Sequence, residues 1–165
     1  MNDELNDQWP DHGAGPVIRV PTDEAMRELG RRLAALLRAG DLVVLSGPLG
    51  AGKTTLTQGI GDGLKVRGPI TSPTFVIARV HPAPAGGPRL VHADAYRLGG
   101  LAEVDDLDLD LQDAVTVVEW GEGLVENLSD DRLEVVIHRA ETEERTVTLT
   151  GVGPRWADAP VDHLA

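Results

Sequence analysis

The chain has 165 residues, of which 41% are hydrophobic, and this is typical of one folded domain. Its formal net charge is -12, with 27 acidic residues against 15 lysines and arginines. Because phosphate contacts need clustered Lys and Arg, such a chain is a poor binder of nucleic acid by itself. The absence of cysteine excludes disulfides, thiolate metal sites and cysteine catalysis, and it fits a reducing cytoplasm.

The first 16 residues are polar, acidic and interrupted by Gly and Pro, so we predict a disordered or loosely packed tail. They lack the apolar stretch of a signal peptide. No apolar run in the chain approaches the ~20 residues that span a bilayer, and we therefore expect no membrane partner.

A short strand over residues 17–20 precedes the first predicted helix. Thr22 has the character of an N-cap, and two acidic residues follow it in the first turn. Apolar residues then recur at helical spacing to about Ala39, and Gly40 is expected to end the helix.

Residues 41–46 form an apolar run of the buried-strand type, and a second helix is predicted from Lys53 to about Gly61. Residues 81–88 are typical of a hairpin or longer exposed loop, and residues 101–113 of one or two short helical turns. The remaining predicted strands cover residues 75–80, 89–94, 114–119, 132–138 and 145–151. We expect the last two to pair antiparallel.

These elements predict an α/β fold of the P-loop NTPase type. The sheet should be mixed and mostly parallel, flanked by helices, with antiparallel hairpin additions. The folded domain is expected over residues 17–151, between the tail of residues 1–16 and a C-terminal tail of residues 152–165.

A complete G-x-x-x-x-G-K-[ST] motif lies between the buried strand and the second helix. Its residues are Gly47, Pro48, Leu49, Gly50, Ala51, Gly52, Lys53 and Thr54. Backbone N–H groups of such a loop converge on phosphate oxygens, and the helix N-terminus adds its positive dipole end. Lys53 would reach the β- and γ-phosphates, and Thr54 would offer its hydroxyl to Mg²⁺.

Glu119 closes the apolar run of residues 115–118, so its carboxylate could hold magnesium or orient water, or could be an ordinary strand-end Glu. His92 and Asp94 share one face of their strand. Asp94 would reach the metal region if its strand lies beside the P-loop strand; otherwise it caps a turn and His92 is a hydrogen-bonded structural histidine. Trp120 could belong to the core or pack near bound nucleotide.

Residues 71–74 (Thr-Ser-Pro-Thr) lie some 20 residues after the P-loop, where many P-loop proteins place a segment that senses the γ-phosphate. They could equally form a plain loop ahead of a strand. The acidic stretch of residues 103–113 lacks the spacing of a calcium loop, and a solvated face or a surface for a basic partner suits it better.

Four motifs in order resemble the TsaE family of bacterial ATPases, also called YjeE. They are Gly-Pro-Leu-Gly-Ala-Gly-Lys-Thr-Thr at 47–55, Thr-Ser-Pro-Thr-Phe at 71–75, His-Ala-Asp-Ala-Tyr-Arg-Leu at 92–98 and Val-Glu-Trp-Gly at 118–121. The resemblance covers roughly residues 20–150.

The resemblance implies ATP hydrolysis, weak alone and stronger in complex, that supports formation of N6-threonylcarbamoyladenosine at position 37 of tRNAs reading ANN codons. It implies TsaD and TsaB as partners, with tRNA met only through that complex. By the same resemblance Lys53 and Thr54 bind phosphate and Mg²⁺, with Thr55 beside them. Asp94 matches an acidic family position, and Glu119 is the best candidate for magnesium and water positioning. Lys53, Asp94 and Glu119 would be the catalytic set.

Other P-loop classes remain as alternatives, foremost a small-molecule kinase. Such a kinase usually carries arginines in a lid, yet residues 81–88 contain no Arg or Lys. A GTPase is disfavoured because neither N-K-x-D nor D-x-x-G occurs in the chain. A vestigial interaction module is disfavoured because the Lys, Thr, Asp and Glu of the site are all present.

Overall fold

The computed structural model of the protein describes residues 17–48, 50–70, 78–94, 112–119, 131–139 and 144–157. Within these ranges seven strands form one sheet, accompanied by three helices. The strands are β1 (Val17–Val20), β2 (Leu42–Ser46), β3 (Ala78–His81), β4 (Arg89–Asp94), β5 (Ala114–Glu119), β6 (Arg132–Arg139) and β7 (Arg145–Val152). The helices are α1 (Asp23–Ala34), α2 (Lys53–Leu64) and α3 (Pro154–Ala157).

The strands lie in the order β1-β7-β6-β2-β5-β4-β3. The four central strands, β6, β2, β5 and β4, are parallel to one another. β3 pairs antiparallel with β4 at one edge, and β7 is antiparallel to both of its neighbours, β6 and β1, at the other. Five of the described strands thus run in one direction and two against it. This confirms the predicted mixed, mostly parallel α/β sheet with antiparallel hairpin additions.

The central strands are buried on both faces, as is usual for parallel strands. All five residues of β2 are buried, including Leu42 and Val44 on one face and Val43 and Leu45 on the other. Val43 and Leu45 belong to the core that the sheet shares with α1 and α2. The continuous apolar run in the sequence, without alternation, reflects this double burial.

Helix α1 begins as predicted but ends earlier. Thr22 caps it, with its hydroxyl oxygen accepting the N–H of Ala25 at 3.0 Å. The helix was expected to continue to about Ala39, yet it ends at Ala34. The Asp41 carboxylate accepts the N–H of Arg38 at 2.8 Å, and this side chain organises a turn where another helical turn was predicted.

Helices α1 and α2 approach each other closely at glycines. A Cβ built on Gly59 would lie 2.1 Å from the carbonyl oxygen of Arg27, and one on Gly30 would lie 2.4 Å from that of Leu56. Only glycine leaves room for such a backbone approach. The contact fixes α2, and therefore the loop that precedes it, against the rest of the domain.

The C-terminal boundary is corrected by the structure. A tail was predicted from residue 152, but β7 includes Val152, and α3 follows it at Pro154–Ala157. Trp156 is only 4% exposed and belongs to the hydrophobic core. The packed domain therefore continues to Ala157, because one aromatic side chain supplies the apolar surface that a short segment needs in order to dock.

Most of the other elements agree with the sequence. Helix α2 begins at Lys53 as predicted and runs one turn past Gly61. The predicted antiparallel pair is β6–β7, and β3–β4 is the hairpin expected around residues 81–88. Predictions that lie outside the described residues concern positions 1–16, 71–77, 101–111 and 158–165. Among the described helices, none is long and apolar enough to cross a membrane.

Candidate functional site

The G-x-x-x-x-G-K-[ST] motif lies where its sequence context predicts, between the end of β2 and the start of α2. Gly50 and Gly52 have φ angles of 78° and 110°, which L side chains rarely adopt. Gly47 passes close to β6, since a Cβ there would lie 3.0 Å from the carbonyl oxygen of Ile137. The glycines are thus needed for the path of this loop, of which Leu49 lies outside the described residues.

Helix α2 presents its N-terminus to the loop without a competing side chain. Its N-cap is Gly52, which offers no side-chain acceptor, and the first turn contains no acidic residue. The first N–H groups of a helix lack intrahelical partners and carry a partial positive charge. This is the arrangement that binds phosphate in P-loop proteins.

Lys53 and Thr54 stand at the start of α2, as predicted. Lys53 is 6% exposed, and its Nζ donates to the carbonyl oxygen of Gly47 at 2.8 Å, which holds the ammonium group across the loop. Thr54 and Thr55 are partly buried and follow directly. A buried ammonium group and a hydroxyl therefore lie beside the backbone donors of the loop.

Glu119 lies at the carboxyl end of β5, the strand beside β2. Its backbone pairs in register with Leu45 on one side and with Asp94 on the other. The side chain is only 4% exposed. This carboxylate therefore lies where it was predicted, at the carboxyl ends of the central strands, where the P-loop begins.

Asp94 was expected to reach the metal region if its strand lies beside the P-loop strand, and this condition is not met. Its strand, β4, is not adjacent to β2, because β5 lies between them. Asp94 instead reaches the site edge through its register with Glu119. Only its backbone is described, and Trp120 and residues 71–74 lie outside the described ranges. Within those ranges, no three His, Asp or Glu side chains form a group that could hold a metal ion.

His92 contacts Glu119 directly. Its Nε2 lies 2.8 Å from Oε2 of Glu119, and the imidazole is completely buried. The expected hydrogen bond of His92 is therefore present. Residue spacing could not identify Glu119 as its partner, because 27 residues separate the two.

Two arginines that the sequence analysis did not single out flank the loop. Arg139 and Arg145 are paired directly opposite each other, where β6 ends and β7 begins. A Cβ on Gly50 would lie 3.5 Å from Nη1 of Arg139, and one on Gly52 would lie 3.4 Å from Nη1 of Arg145. In a chain of net charge -12, the loop is thus bordered by positive side chains. The sequence could have indicated this position of the two arginines only if the predicted β6–β7 hairpin had been placed beside β2.

The Arg145 guanidinium also affects a neighbouring carboxylate. Its Nη1 donates to Oδ1 of Asp23 at 2.7 Å, and this bond holds the pKa of Asp23 below its ordinary value. Asp23 is the first residue of α1. Arg145 therefore links the start of α1 to the glycine-rich loop.

Comparison with known proteins assigns this arrangement to one family. The family model described as "Threonylcarbamoyl adenosine biosynthesis protein TsaE" matches residues 20–147. The chain is 68% identical over 147 residues to the tRNA threonylcarbamoyladenosine biosynthesis protein TsaE of Streptomyces coelicolor, covering 85% of this chain and 99% of that protein. The Bacillus subtilis protein of the same name is 38% identical over 141 residues, 84% of this chain and 87% of its own.

A solved structure has the same fold. The crystal structure of YdiB from Bacillus subtilis superposes with a TM-score of 0.73 at 33% sequence identity. The match covers 92% of this chain and 94% of the other. The similarity therefore extends over nearly the whole of both chains rather than over the glycine-rich loop alone.

Proposed function

The chain belongs to the TsaE family, and from this we propose that it hydrolyses ATP with Mg²⁺ to support formation of N6-threonylcarbamoyladenosine at position 37 of tRNAs that read ANN codons. TsaD and TsaB are its proposed partners, and the cytoplasm its proposed location. The family is named for this modification, and the described site supports the ATPase part.

The observation that carries the proposal is the register of two neighbouring parallel strands. β2 leads into the glycine-rich loop and Lys53, while β5 brings Glu119 level with Leu45 at the same edge. A phosphate-binding loop and a buried carboxylate one strand away are two of the parts that nucleoside triphosphate hydrolysis uses in P-loop proteins. The order along the sheet also agrees with ligand binding at the carboxyl ends of parallel strands.

The loop would bind the phosphates. Backbone N–H groups of the segment Gly47–Gly52 and of the first turn of α2 supply donors, and Lys53 adds a positive charge at the β- and γ-phosphates. The hydrogen bond from the Lys53 ammonium group to the carbonyl oxygen of Gly47 keeps this charge beside the loop, and hydrogen bonds from an ammonium group to phosphate oxygens are among the strong, charge-assisted ones.

The oxygen ligands of the site fit magnesium. Mg²⁺ prefers hydroxyl, carboxylate and phosphate oxygens, and Thr54 and Glu119 present the first two, with Asp94 in register beside Glu119. When bound, the ion would neutralise charge on the transferring phosphoryl group. Glu119 would orient the attacking water, either directly or through the ion's hydration shell.

The charge balance favours an indirect role at tRNA. A chain of net charge -12 is on balance repelled by the phosphate backbone of a nucleic acid. The arginines beside the loop are few and local, and they suit a nucleotide rather than a tRNA. A partner such as TsaD would hold the tRNA, and this chain would drive the partner's cycle by binding and hydrolysing ATP.

The test is phosphate release from ATP and from GTP, with and without purified TsaB and TsaD. The proposal expects slow release from ATP alone, faster release with both partners, and little from GTP. A P-loop small-molecule kinase would instead be inactive without an acceptor and would be indifferent to TsaB and TsaD. Equal rates with and without the partners, for an active preparation, would contradict the proposed role.

A further inference from the structure

His92 and Glu119 form a buried polar pair within an apolar part of the sheet. Both side chains stand on the sheet face that otherwise carries apolar residues, among them Leu90, Val115 and Val117. Burying a carboxylate costs desolvation energy, and well-packed apolar residues often serve stability equally well or better. A polar pair at this point therefore calls for another explanation.

The contact defines which nitrogen of His92 donates. Ionised Glu119, the form that can bind magnesium, only accepts hydrogen bonds, and with this form the hydrogen between the two groups belongs to Nε2 of His92. Nδ1 of His92 is buried and finds no hydrogen-bond partner in the described part of the chain. The imidazole is thus used on one side only, and that side faces Glu119.

This bond restricts the carboxylate. A Glu side chain has three rotatable bonds, and an unheld carboxylate samples several orientations. With Oε2 engaged by Nε2 of His92, the orientation of the carboxylate is restricted. The imidazole of His92 is itself held in place because it is completely buried.

We propose that His92 is a positioning residue, which donates from Nε2 to Oε2 of Glu119 and thereby holds the carboxylate for its work on magnesium and water. The inference rests on the proposed function, since it gives His92 a role only through Glu119. Groups that orient a ligating carboxylate commonly matter for activity although they touch neither metal nor substrate. His92 itself contacts no phosphate in this account.

The kinetic test compares two substitutions at His92. His92→Gln retains an N–H donor at a similar reach, whereas His92→Leu fills the space without one. We expect His92→Leu to lower kcat for ATP hydrolysis by at least about tenfold, with KM changed far less, and His92→Gln to recover most of the loss. Equal losses in both variants would overturn the proposal.

A double-mutant cycle tests whether His92 acts through Glu119. In a Glu119→Gln background, His92→Leu should cause no further loss, because the group it positions is already gone. Losses that add would overturn the inference.

A spectroscopic test needs no nucleotide. In protein labelled with ¹⁵N-histidine, NMR distinguishes which ring nitrogen carries the hydrogen. We expect His92 to hold it on Nε2 in the wild type and to lose this strict preference in Glu119→Ala. A hydrogen fixed on Nδ1 would overturn the positioning role even if ATP hydrolysis is found, whereas a wild type that binds no ATP would refute the proposed function instead.

Discussion

Arg155 forms a two-pronged ion pair with Asp41, its Nε and Nη2 lying 2.9 Å from the two carboxylate oxygens. The Arg155 Nη2 also donates to the carbonyl oxygen of Leu36, and its guanidinium stacks 4.3 Å above the ring of Trp156. Since Asp41 in turn binds the N–H of Arg38, this contact joins α3 to the turn between α1 and β2. Helix α3 thereby stabilises the start of β2, the strand that leads into the P-loop.

We predict that Arg155→Ala lowers the free energy of unfolding by about 3 kcal/mol, because Asp41 would remain buried without its charge partner. Urea unfolding measures the change. Arg38→Ala is the matched control, since it removes an exposed arginine near the same turn, and it should cost less than about 0.5 kcal/mol. A similar small cost for both variants would contradict a stabilising role for α3.

The stability of the domain should fall in mild acid. Burial, followed by the charges of His92 and Arg79, lowers the pKa of His81 from its ordinary value of 6.5, and a hydrogen bond to the Arg67 backbone opposes this only in part. Burial lowers the pKa of His138 in the same way. As pH falls, the unfolded chain therefore takes up these protons before the folded chain does.

The contribution of each histidine is fully present above pH 6.5 and is lost as pH falls from there through the lower folded-state pKa. We expect His81→Gln to flatten this part of the stability profile, measured by urea unfolding at about pH 7.5 and about pH 5.5. An unchanged difference between the two pH values would show that His81 does not contribute.

The sequence predicted what depends on local pattern and failed where distant residues meet. The P-loop, the N-cap at Thr22 and the buried strands follow from spacing and residue type, and the structure has them. The early end of α1 depends on Asp41 and Arg155, which lie 114 residues apart. Strand order cannot be predicted from the spacing of apolar residues. It determines both the contact of His92 with Glu119 and the position of Arg139 beside the loop.

We predict that Lys53→Ala abolishes tight binding of Mg-ATP. Backbone donors alone cannot replace the positive charge at the β- and γ-phosphates. Isothermal titration calorimetry measures the affinity. The chain has only one other lysine, Lys65, which is exposed, so Lys65→Gln is a control for the same change in net charge and should bind normally. Unchanged affinity in Lys53→Ala would refute the phosphate-binding assignment.

We predict that Glu119→Ala keeps much of the ATP affinity but loses hydrolysis. Its carboxylate acts on metal and water, whose interactions strengthen in the transition state more than in the ground state. Binding and single-turnover phosphate release should be measured on the same preparation. The exposed Glu28 on α1 supplies the control, Glu28→Gln, which should leave both unchanged. Normal turnover per bound ATP in Glu119→Ala would exclude the role assigned to it.

The most direct test of the central claim is the amount of threonylcarbamoyladenosine in tRNA. Cells depleted of this protein, and lacking a second copy of its gene, should contain less of the modified nucleoside when digested tRNA is examined by mass spectrometry. The wild-type protein should restore it, whereas Lys53→Ala should not, because the proposed role requires ATP. Normal levels of the nucleoside in depleted cells, or full restoration by Lys53→Ala, would contradict the account.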